Sequence, residues 1–304
     1  MAAPGYTKRI LRDMSIHDFI ALEEIMKYKL TVVILTYNEA IHIERAIQNV
    51  TGWADKVIVL DSHSQDTTAK IAQDLNAEVI YRKFDNYKNQ RQYAIDYCKN
   101  QTEWMLFLDA DEYLLEALKT EIKISITHPH ITGYYMPRRF IFMGKWIKRG
   151  GYYPTYLLRL FRPELATVDR TINEHVTVQG ATQKLKHDFV DHNLNGIGFW
   201  IAKHNQYATV EAEALLWAKQ NKPATSGINF WVQADRKRWI RENIWNHLPL
   251  LMKPFLYFAY RYMIRLGFLD GKEGLIFHFL QGCWFWFLVS AKYLEMEKTL
   301  RSQQ

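Results

Sequence analysis

Residues 106–114 read LFLDADEYL, an apolar run that ends in two carboxylates one residue apart. The apolar part predicts a strand that is buried on both faces, as in parallel sheets. Ligands of open α/β sheets bind at the carboxyl ends of such strands. Asp109 and Asp111, the acidic pair, suit a hard divalent cation that shares oxygen ligands with substrate phosphates. The alternative is a strand end followed by a helix whose dipole the two acids offset.

The chain upstream alternates short apolar runs with stretches of helical character. The predicted strands lie at residues 30–35 (LTVVIL), 56–60 (KVIVL) and 78–81 (EVIY). The predicted helices lie at residues 40–50, 68–75 and 90–100. Alternation at this length predicts an α/β fold with a Rossmann-like, mostly parallel sheet and flanking helices.

Polar residues follow the first two of these strands. Thr36, Asn38 and Glu39 close the first run, and Asp61 closes the second. The carboxyl ends of parallel strands meet at one edge of a sheet, so these side chains are expected beside the acidic pair.

Three motifs, in this order and spacing, resemble family 2 glycosyltransferases, which have the GT-A fold. They are ILTYNE (residues 34–39), VLDSHSQDTT (59–68) and LDADE (108–112). The resemblance runs from about residue 30 to residue 295 and is closest to a short bacterial branch that extends lipopolysaccharide cores and other lipid-linked glycans. Its later motifs are RLFRP (159–163), INEHV (172–176), KHNQYATVEA (203–212) and FLDGKEGLIFHFL (268–280).

This resemblance implies an inverting transfer of a sugar from a nucleotide-diphosphate donor, such as a UDP-sugar. The departing diphosphate requires a cation, Mg²⁺ or Mn²⁺. By the resemblance, Asp111 binds the metal directly, Asp109 faces the ribose or a metal-bound water, and Asp61 contacts the nucleoside base. The rest of the nucleotide pocket would be lined by Thr36, Asn38 and Glu39.

The acceptor hydroxyl must lose a proton, which requires a general base. The resemblance assigns this role to Glu174, because INEHV occupies the place of the branch's catalytic acid after RLFRP. The chain has Asn-Glu-His where its relatives more often have His before Glu, and Asp169 is therefore the alternative base. His175 is interpreted as a core histidine.

Arginine and histidine side chains complete the set of candidate site residues. Guanidinium groups bind phosphates well, which makes Arg91 and Arg159 candidates for donor binding. For Arg91, a solvated position at the start of a helix is an equally good interpretation. For Arg162, a solvated position on a surface strand is equally good. Three histidines match no common spacing of metal ligands and are interpreted as structural: His187, His192 and His204.

Composition agrees with a cytoplasmic enzyme of this size. A chain of 304 residues with 48% hydrophobic content can bury a full core. Two cysteines, Cys98 and Cys283, form no disulfide framework and fit a reducing compartment. The first residues contain no apolar core of signal-peptide length, so secretion by that route is not expected.

The positive charge is concentrated near the C-terminus. Residues 236–272 hold eight Lys and Arg against Glu242 and Asp270, which is most of the formal +7 of the chain. Five of the ten tryptophans lie at residues 231–286. Basic and aromatic residues together predict contact with an anionic membrane surface on the cytoplasmic side, as a peripheral or monotopic protein. Nucleic acid is the competing polyanion, but no nucleic-acid-binding motif accompanies the charge.

Two apolar stretches in this region predict interfacial helices. Lys253, Tyr257, Arg261 and Arg265 recur every four residues and predict one basic stripe on an otherwise apolar helix. A helix that docks against the catalytic domain is the alternative. Residues 275–291 fall short of the ~20 residues that a spanning helix needs and are interpreted as an interfacial or re-entrant helix.

The predicted organisation has three parts. They are an N-terminal arm (residues 1–29), a catalytic domain (30–225, with a nucleotide-sugar half at 30–125 and an acceptor half at 126–225) and a basic aromatic helical region that associates with the membrane (226–304). The arm could cover the sheet edge or mediate formation of a homo-oligomer.

Three functions are compared. The leading one is transfer of a sugar to a lipid-linked saccharide during bacterial lipopolysaccharide or exopolysaccharide synthesis. The alternative is a polyprenyl-phosphate glycosyltransferase that resembles dolichol-phosphate-mannose synthases, which attacks with a phosphate oxygen and needs no strong base. The third is a non-catalytic membrane-bound scaffold, against which the joint presence of Asp61, the acidic pair and Glu174 argues.

Overall fold

The computed structural model describes residues 28–169, 176–220 and 248–302. Within these ranges the chain forms two compact units. Unit 1 comprises the described parts of residues 1–138 and 155–192, and unit 2 those of 139–154 and 193–304. The N-terminal arm up to residue 27, Glu174 and the tryptophans at 231–245 lie outside the described residues. The predicted domain boundaries stay predictions.

The first half of the sheet in unit 1 is parallel. Its strands follow the order β3-β2-β1-β4. They are β1 (Tyr28–Thr36), β2 (Lys56–Asp61), β3 (Glu78–Tyr81) and β4 (Thr102–Asp109). Adjacent residues of β1, such as Val32 and Val33, are both fully buried, which explains its unbroken apolar sequence.

The register of these strands places the candidate residues together. Thr36 at the end of β1 pairs with Asp61 at the end of β2. Leu35 pairs with Asp109 at the end of β4. The carboxyl ends of three strands therefore lie at one edge of the sheet, as the sequence predicted.

Helices cover both faces of the parallel half. They are α1 (Ile43–Val50), α2 (Thr68–Asp74), α3 (Tyr87–Cys98) and α4 (Glu116–Ser125). Helix α1 begins three residues later than predicted, because residues 39–42 form a turn in which the amide of His42 donates to the carbonyl of Glu39 at 2.9 Å. Its buried residues recur at helical spacing: Ile43, Ala46, Ile47 and Val50.

The second half of the sheet is mixed. Strand β8 (Thr155–Phe161) runs antiparallel to β4, and β6 (Ile131–Phe142) runs antiparallel to β8. At the far end, β12 (Phe189–Asp191) pairs antiparallel with β5 (Glu112–Leu114). Strand β11 (Ala181–Lys184) pairs with β6, and β9 (Ala166–Val168) pairs with β10 (Val176–Val178). The predicted α/β fold class, with a largely parallel sheet and flanking helices, is confirmed.

Unit 2 is mainly helical. Its helices are α5 (Ile197–Gln220), α6 (Lys253–Ala259), α7 (Gly271–Phe279) and α8 (Phe285–Ser302). A short strand, β7 (Lys145–Trp146), pairs with the end of β6. Among the described residues, one helical stretch, Gly267–Ser302, is long and apolar enough to cross a membrane by length and composition. It spans 36 residues, more than the predicted apolar stretch, and 44% of its most apolar window is buried within the protein.

The prediction of an exposed basic stripe is wrong for Arg261. The side chain of Arg261 is only 5% exposed. Its guanidinium group lies over the rings of Tyr152, Tyr257 and Phe277 at 5.4–5.8 Å from their centroids. Residues 260–264 form a π-helical turn, and the wider turn ends the four-residue repeat that the stripe required.

The free energy of unfolding should depend strongly on the buried side chains of β4. Leu106 is fully buried, so Leu106→Ala should lower the free energy of unfolding by about 2–5 kcal/mol. The matched control is Ile124→Ala, which removes a large aliphatic side chain that is 61% exposed on α4, and its change should stay below about 1 kcal/mol. Chemical denaturation of both variants measures the difference. Equal destabilisation by the two changes would contradict the assigned core.

Candidate functional site

The loops that follow β1 and β2 are hydrogen-bonded to each other. The buried carboxylate of Asp61 accepts from the amide of Ser64 at 2.8 Å and from its hydroxyl at 2.5 Å. The same hydroxyl accepts from the amide of Asn38 at 2.8 Å. Asp61 therefore holds the second loop in place and, through Ser64, the first.

Asn38 and Glu39 brace the first loop. Asn38 has a positive φ of 55°, which asparagine tolerates, and its side-chain oxygen accepts from the amide of Gln65 at 2.7 Å. The amide of Glu39 donates to the hydroxyl of Thr68 at 2.8 Å, and its carboxylate lies 2.5 Å from Nδ1 of His42. Both predicted pocket residues thus fix the backbone at the edge of the sheet.

Thr36 differs from its neighbours in the loop. Its hydroxyl is buried and has no hydrogen-bond partner among the residues that the structure describes. Buried hydroxyl groups normally find a partner. The hydroxyl group of Thr36 therefore keeps an unused hydrogen-bonding position at the carboxyl end of β1.

Four carboxylates lie at the sheet edge beyond β4 and are called the acidic edge. Asp109 ends β4, Glu112 begins β5, and Asp191 ends β12, where it pairs in register with Glu112. Asp111 lies in the turn between β4 and β5. Burial, together with the charges of Asp111 and Asp109, raises the pKa of both Glu112 and Asp191 above the usual range of a carboxyl group.

Arg159 offsets this negative charge. Its guanidinium Nη2 donates to Asp109 Oδ2 at 2.8 Å and to Glu112 Oε1 at 2.7 Å. Burial opposes the charge of Arg159, yet Asp109 and Glu112 raise its pKa above the ordinary value. A buried arginine between two carboxylates remains charged and joins β8 to the turn after β4.

The two members of the acidic pair have different surroundings. The other oxygen of Asp109 accepts from Nη2 of the buried Arg91 at 3.1 Å, so each of its oxygens contacts an arginine. Asp111 is held through its backbone, since its carbonyl accepts from the amide of His192 and from Arg45 Nη2, both at 3.0 Å. The protein thus compensates Asp109 and positions Asp111 rigidly.

The acidic edge fits a divalent cation by its donor chemistry. The charges of Asp109 and Asp111 raise the pKa of Glu112 and of Asp191, and a cation would relieve that repulsion. Within the ranges that the structure covers, no three His, Cys, Asp or Glu side chains form a ready metal cage. Magnesium is typically held by one or two carboxylates, with water and substrate phosphates as its other ligands. The residues present therefore suit a cation that is shared with a diphosphate.

The structure adds residues that the sequence did not single out. Asp191 and Arg138 form an ion pair at 3.4 Å, and Arg45 contacts the backbone of the turn that carries Asp111. For Asp191 a signal existed, because FVD at residues 189–191 repeats the pattern of an apolar run closed by an acid. Arg45 and Arg138 lie in distant parts of the chain, and no sequence motif marked either of them as a site residue.

Other candidates lie away from the acidic edge. Arg162 donates to the carbonyl of Ile131 at 3.3 Å and stacks on Trp104. His187 pairs with Glu121 at 2.8 Å, which is the structural role expected for it. In unit 2, His204 stacks on Trp200 at 3.5 Å between ring centroids. Asp169 is exposed after β9, and Glu174 lies outside the described residues.

Comparisons with known proteins agree on one family. The family model described as Glycosyl transferase family 2 matches residues 31–182. An uncharacterized glycosyltransferase of Rickettsia prowazekii is 30% identical over 265 residues, which is 83% of each chain. Another, from Rickettsia bellii, is 43% identical over 102 residues, so that the match covers 34% of this chain and 34% of the relative.

Two further matches carry more specific names. A lipopolysaccharide core biosynthesis glycosyltransferase of Rhizobium meliloti, LpsC, is 26% identical over 203 residues, 62% of this chain and 72% of the relative. Among solved structures, S. aureus TarS in complex with UDP-GlcNAc aligns over 91% of this chain and 92% of that chain at 14% identity, with a TM-score of 0.46.

Removal of Arg159 from the acidic edge should lower the free energy of unfolding strongly. Arg159→Met leaves Glu112 without its buried counter-charge and leaves Asp109 with Arg91 alone, so it should lower the free energy of unfolding by about 3–5 kcal/mol. The matched control Arg162→Met removes the same charge from a side chain that stacks on Trp104, and it should cost about 1 kcal/mol or less. Urea denaturation at neutral pH compares the two. A cost for Arg159→Met no larger than that of the control would contradict the assigned ion pairs.

Proposed function

The chain belongs to glycosyl transferase family 2, and on that premise we propose that it is an inverting, metal-dependent glycosyltransferase. Its donor would be a nucleotide-diphosphate sugar, of which a UDP-sugar is the first choice, and its acceptor a lipid-linked saccharide. The observation that carries the proposal is the acidic edge, where Asp111 is held rigidly beside an Asp109 that two arginines compensate.

The donor diphosphate would bind over the acidic edge. Asp111 would hold Mg²⁺ or Mn²⁺, and such a cation would supply the positive charge that stabilises the departing diphosphate. Asp109 would contact the ribose or a water, because both of its oxygens already accept from arginines. Arg91 and Arg159 would keep Asp109 in that orientation and add positive charge near the phosphates.

The nucleoside would occupy the loops after β1 and β2. Each oxygen of Asp61 accepts one hydrogen bond from Ser64, which leaves lone pairs for an N–H group of the base. The unpartnered hydroxyl of Thr36 supports a direct contact with the nucleotide. Asn38 and Glu39 would shape the pocket through the loop that they brace.

Attack on the anomeric carbon would be assisted by Glu174. A carboxylate that removes the proton of an acceptor hydroxyl lets a single displacement invert the anomeric centre. A bare polyprenyl phosphate, the alternative acceptor, already carries a negative oxygen and would need no such base. The role of Glu174 therefore separates the two acceptor classes.

The acceptor would be a saccharide on a membrane lipid, used in lipopolysaccharide or exopolysaccharide synthesis. The name of the Rhizobium meliloti relative, a lipopolysaccharide core enzyme, supports this class. The apolar helical stretch at Gly267–Ser302 supports contact with a membrane, and the nucleotide-sugar donor would place that contact at the cytoplasmic face. A non-catalytic scaffold would not require the charge-compensated acidic edge or the unpartnered hydroxyl of Thr36.

The metal assignment predicts that Asp111→Asn abolishes metal-dependent hydrolysis of the donor. Screening nucleotide sugars with Mg²⁺ or Mn²⁺ identifies a substrate, and the variant should then turn it over at least about 100-fold more slowly. Asp96→Asn makes the same change at an exposed position on α3 and should retain full turnover. Undiminished turnover in Asp111→Asn would contradict the assignment of Asp111 as the metal ligand.

The assignment of the base predicts a selective defect in Glu174→Gln. Transfer to a saccharide acceptor should fall by about 10²–10⁴-fold, while the affinity for the donor nucleotide stays the same. Asp169→Asn removes the alternative base and should transfer normally, whereas a defect in this variant alone would assign the role to Asp169. If transfer to a polyprenyl phosphate proceeds at the wild-type rate in Glu174→Gln, the alternative acceptor class is correct.

A further inference from the structure

Unit 2 exposes a continuous apolar face on its C-terminal helices. Ile264 is 71% exposed and Met263 is 59% exposed. Ring contacts join their neighbours into one surface, from Phe279 through Phe258 and Tyr262 to Phe268, with centroids 5.4–6.3 Å apart. A cluster of exposed large apolar side chains of this kind marks an interaction site. We call it the apolar face, and it includes Phe255, Met263, Ile264, Phe268, Leu269 and Phe279.

A basic loop, residues 145–151 (KWIKRGG), is fastened to these helices by hydrogen bonds to the backbone of the loop. The carboxylate of Asp270 accepts from the amides of Lys148 at 3.1 Å and Arg149 at 2.8 Å. The amide of Gly150 donates to the carbonyl of Arg265 at 3.0 Å. Buried Arg261 donates from Nε to the carbonyl of Gly150, also at 3.0 Å. The loop is therefore part of the same surface as the apolar face.

Close packing fixes the loop further. Gly150 has a φ of +69°, and a Cβ added there would lie 2.1 Å from Cε1 of the buried His278 ring. On another side of that ring, a Cβ at Gly267 would lie 2.6 Å from Cδ2. The ring thus sits between two glycines, one in the loop and one in the helical stretch. Any larger residue at Gly150 would push the loop away from the helices.

The basic loop and the apolar face together carry uncompensated positive charge. Residues 139–154 and 248–294 contain nine Lys and Arg but only two acids, Asp270 and Glu273. Asp270 is buried against the loop amides, and Glu273 lies 3.8 Å from both Lys145 and Lys272. Apart from Lys145 and Lys272, which lie near Glu273, the exposed cations of the loop and beside it are Lys148, Arg149 and Arg265.

We propose that the apolar face and the basic loop form one docking surface for an anionic phospholipid bilayer. The apolar side chains would enter the acyl boundary, and Lys148, Arg149 and Arg265 would contact lipid phosphates. Arg261, which the sequence suggested as a lipid contact, is instead a positioning residue that holds the loop from inside. The inference rests on the proposed function, which places the acceptor in a membrane.

Charge decides between the bilayer and other occupants. A second copy of the chain, docked through the same surface, would bring two basic loops together, and the described residues of that surface include no exposed acid to pair with them. The segment 221–247 contains five Lys and Arg but only two acids. Its positive charge therefore does not complement the basic loop either. An anionic lipid surface supplies both a low-dielectric phase and negative phosphates.

Sedimentation of the full chain with lipid vesicles tests the surface. The chain should bind phosphatidylcholine vesicles that contain phosphatidylglycerol, and Lys148→Glu with Arg149→Glu should weaken that binding at least about tenfold. The matched control is Lys99→Glu with Lys298→Glu, which changes the net charge equally at exposed positions outside the surface and should bind as the wild type does. Equal binding by the two double variants, or equal binding to vesicles without phosphatidylglycerol, would overturn the role of the basic loop.

A second pair of variants separates the positioning residue from the lipid contact. Arg265→Glu, at an exposed site, should weaken vesicle binding without lowering the melting temperature. Arg261→Met, at a buried site, should lower the melting temperature. The reverse pattern would overturn the assignment of the two arginines.

The docking surface and the proposed function fail in different assays. Loss of donor hydrolysis in a chain that still binds anionic vesicles would contradict only the transferase proposal. Hydrolysis by a wild-type chain that does not bind such vesicles, or a dimer in sedimentation equilibrium that Ile264→Glu dissociates, would overturn the bilayer as occupant.

Discussion

The acidic edge depends on the buried charge of Arg159. Four carboxylates beside one sheet edge repel one another, and burial raises the cost of their ionisation. One guanidinium group contacts two of them and ties β8 to the turn that follows β4. Because Arg159 offsets the charge of Asp109 and Glu112, the turn can place Asp111 beside them at the strand end.

The sheet explains why this arrangement is possible. Parallel pairing of β1, β2 and β4 brings Thr36, Asp61 and Asp109 to one edge. Antiparallel pairing of β4 with β8 brings Arg159 to the same place. The parallel half thus provides polar side chains on hydrogen-bonded loops, and the mixed half provides the counter-charge.

Much of this could be predicted, because each parallel strand is an apolar run closed by a polar residue. That local pattern is sufficient to place Thr36, Asp61 and the acidic pair at one edge of the sheet. The pairing of Asp191 with Glu112 depends on antiparallel contacts between distant segments, which no local pattern encodes. The burial of Arg261 follows from a π-helical turn that hydrophobic periodicity does not reveal.

In the proposed function, Arg159 compensates Asp109 and Asp111 holds a metal together with the donor diphosphate. Anomalous scattering of manganese, measured on crystals grown with Mn²⁺ and UDP, tests this arrangement. We expect a manganese peak within coordination distance of the Asp111 carboxylate, with Arg159 still donating to Asp109 and Glu112. A peak on Asp109 with Arg91 and Arg159 displaced, or no peak at the acidic edge, would contradict it.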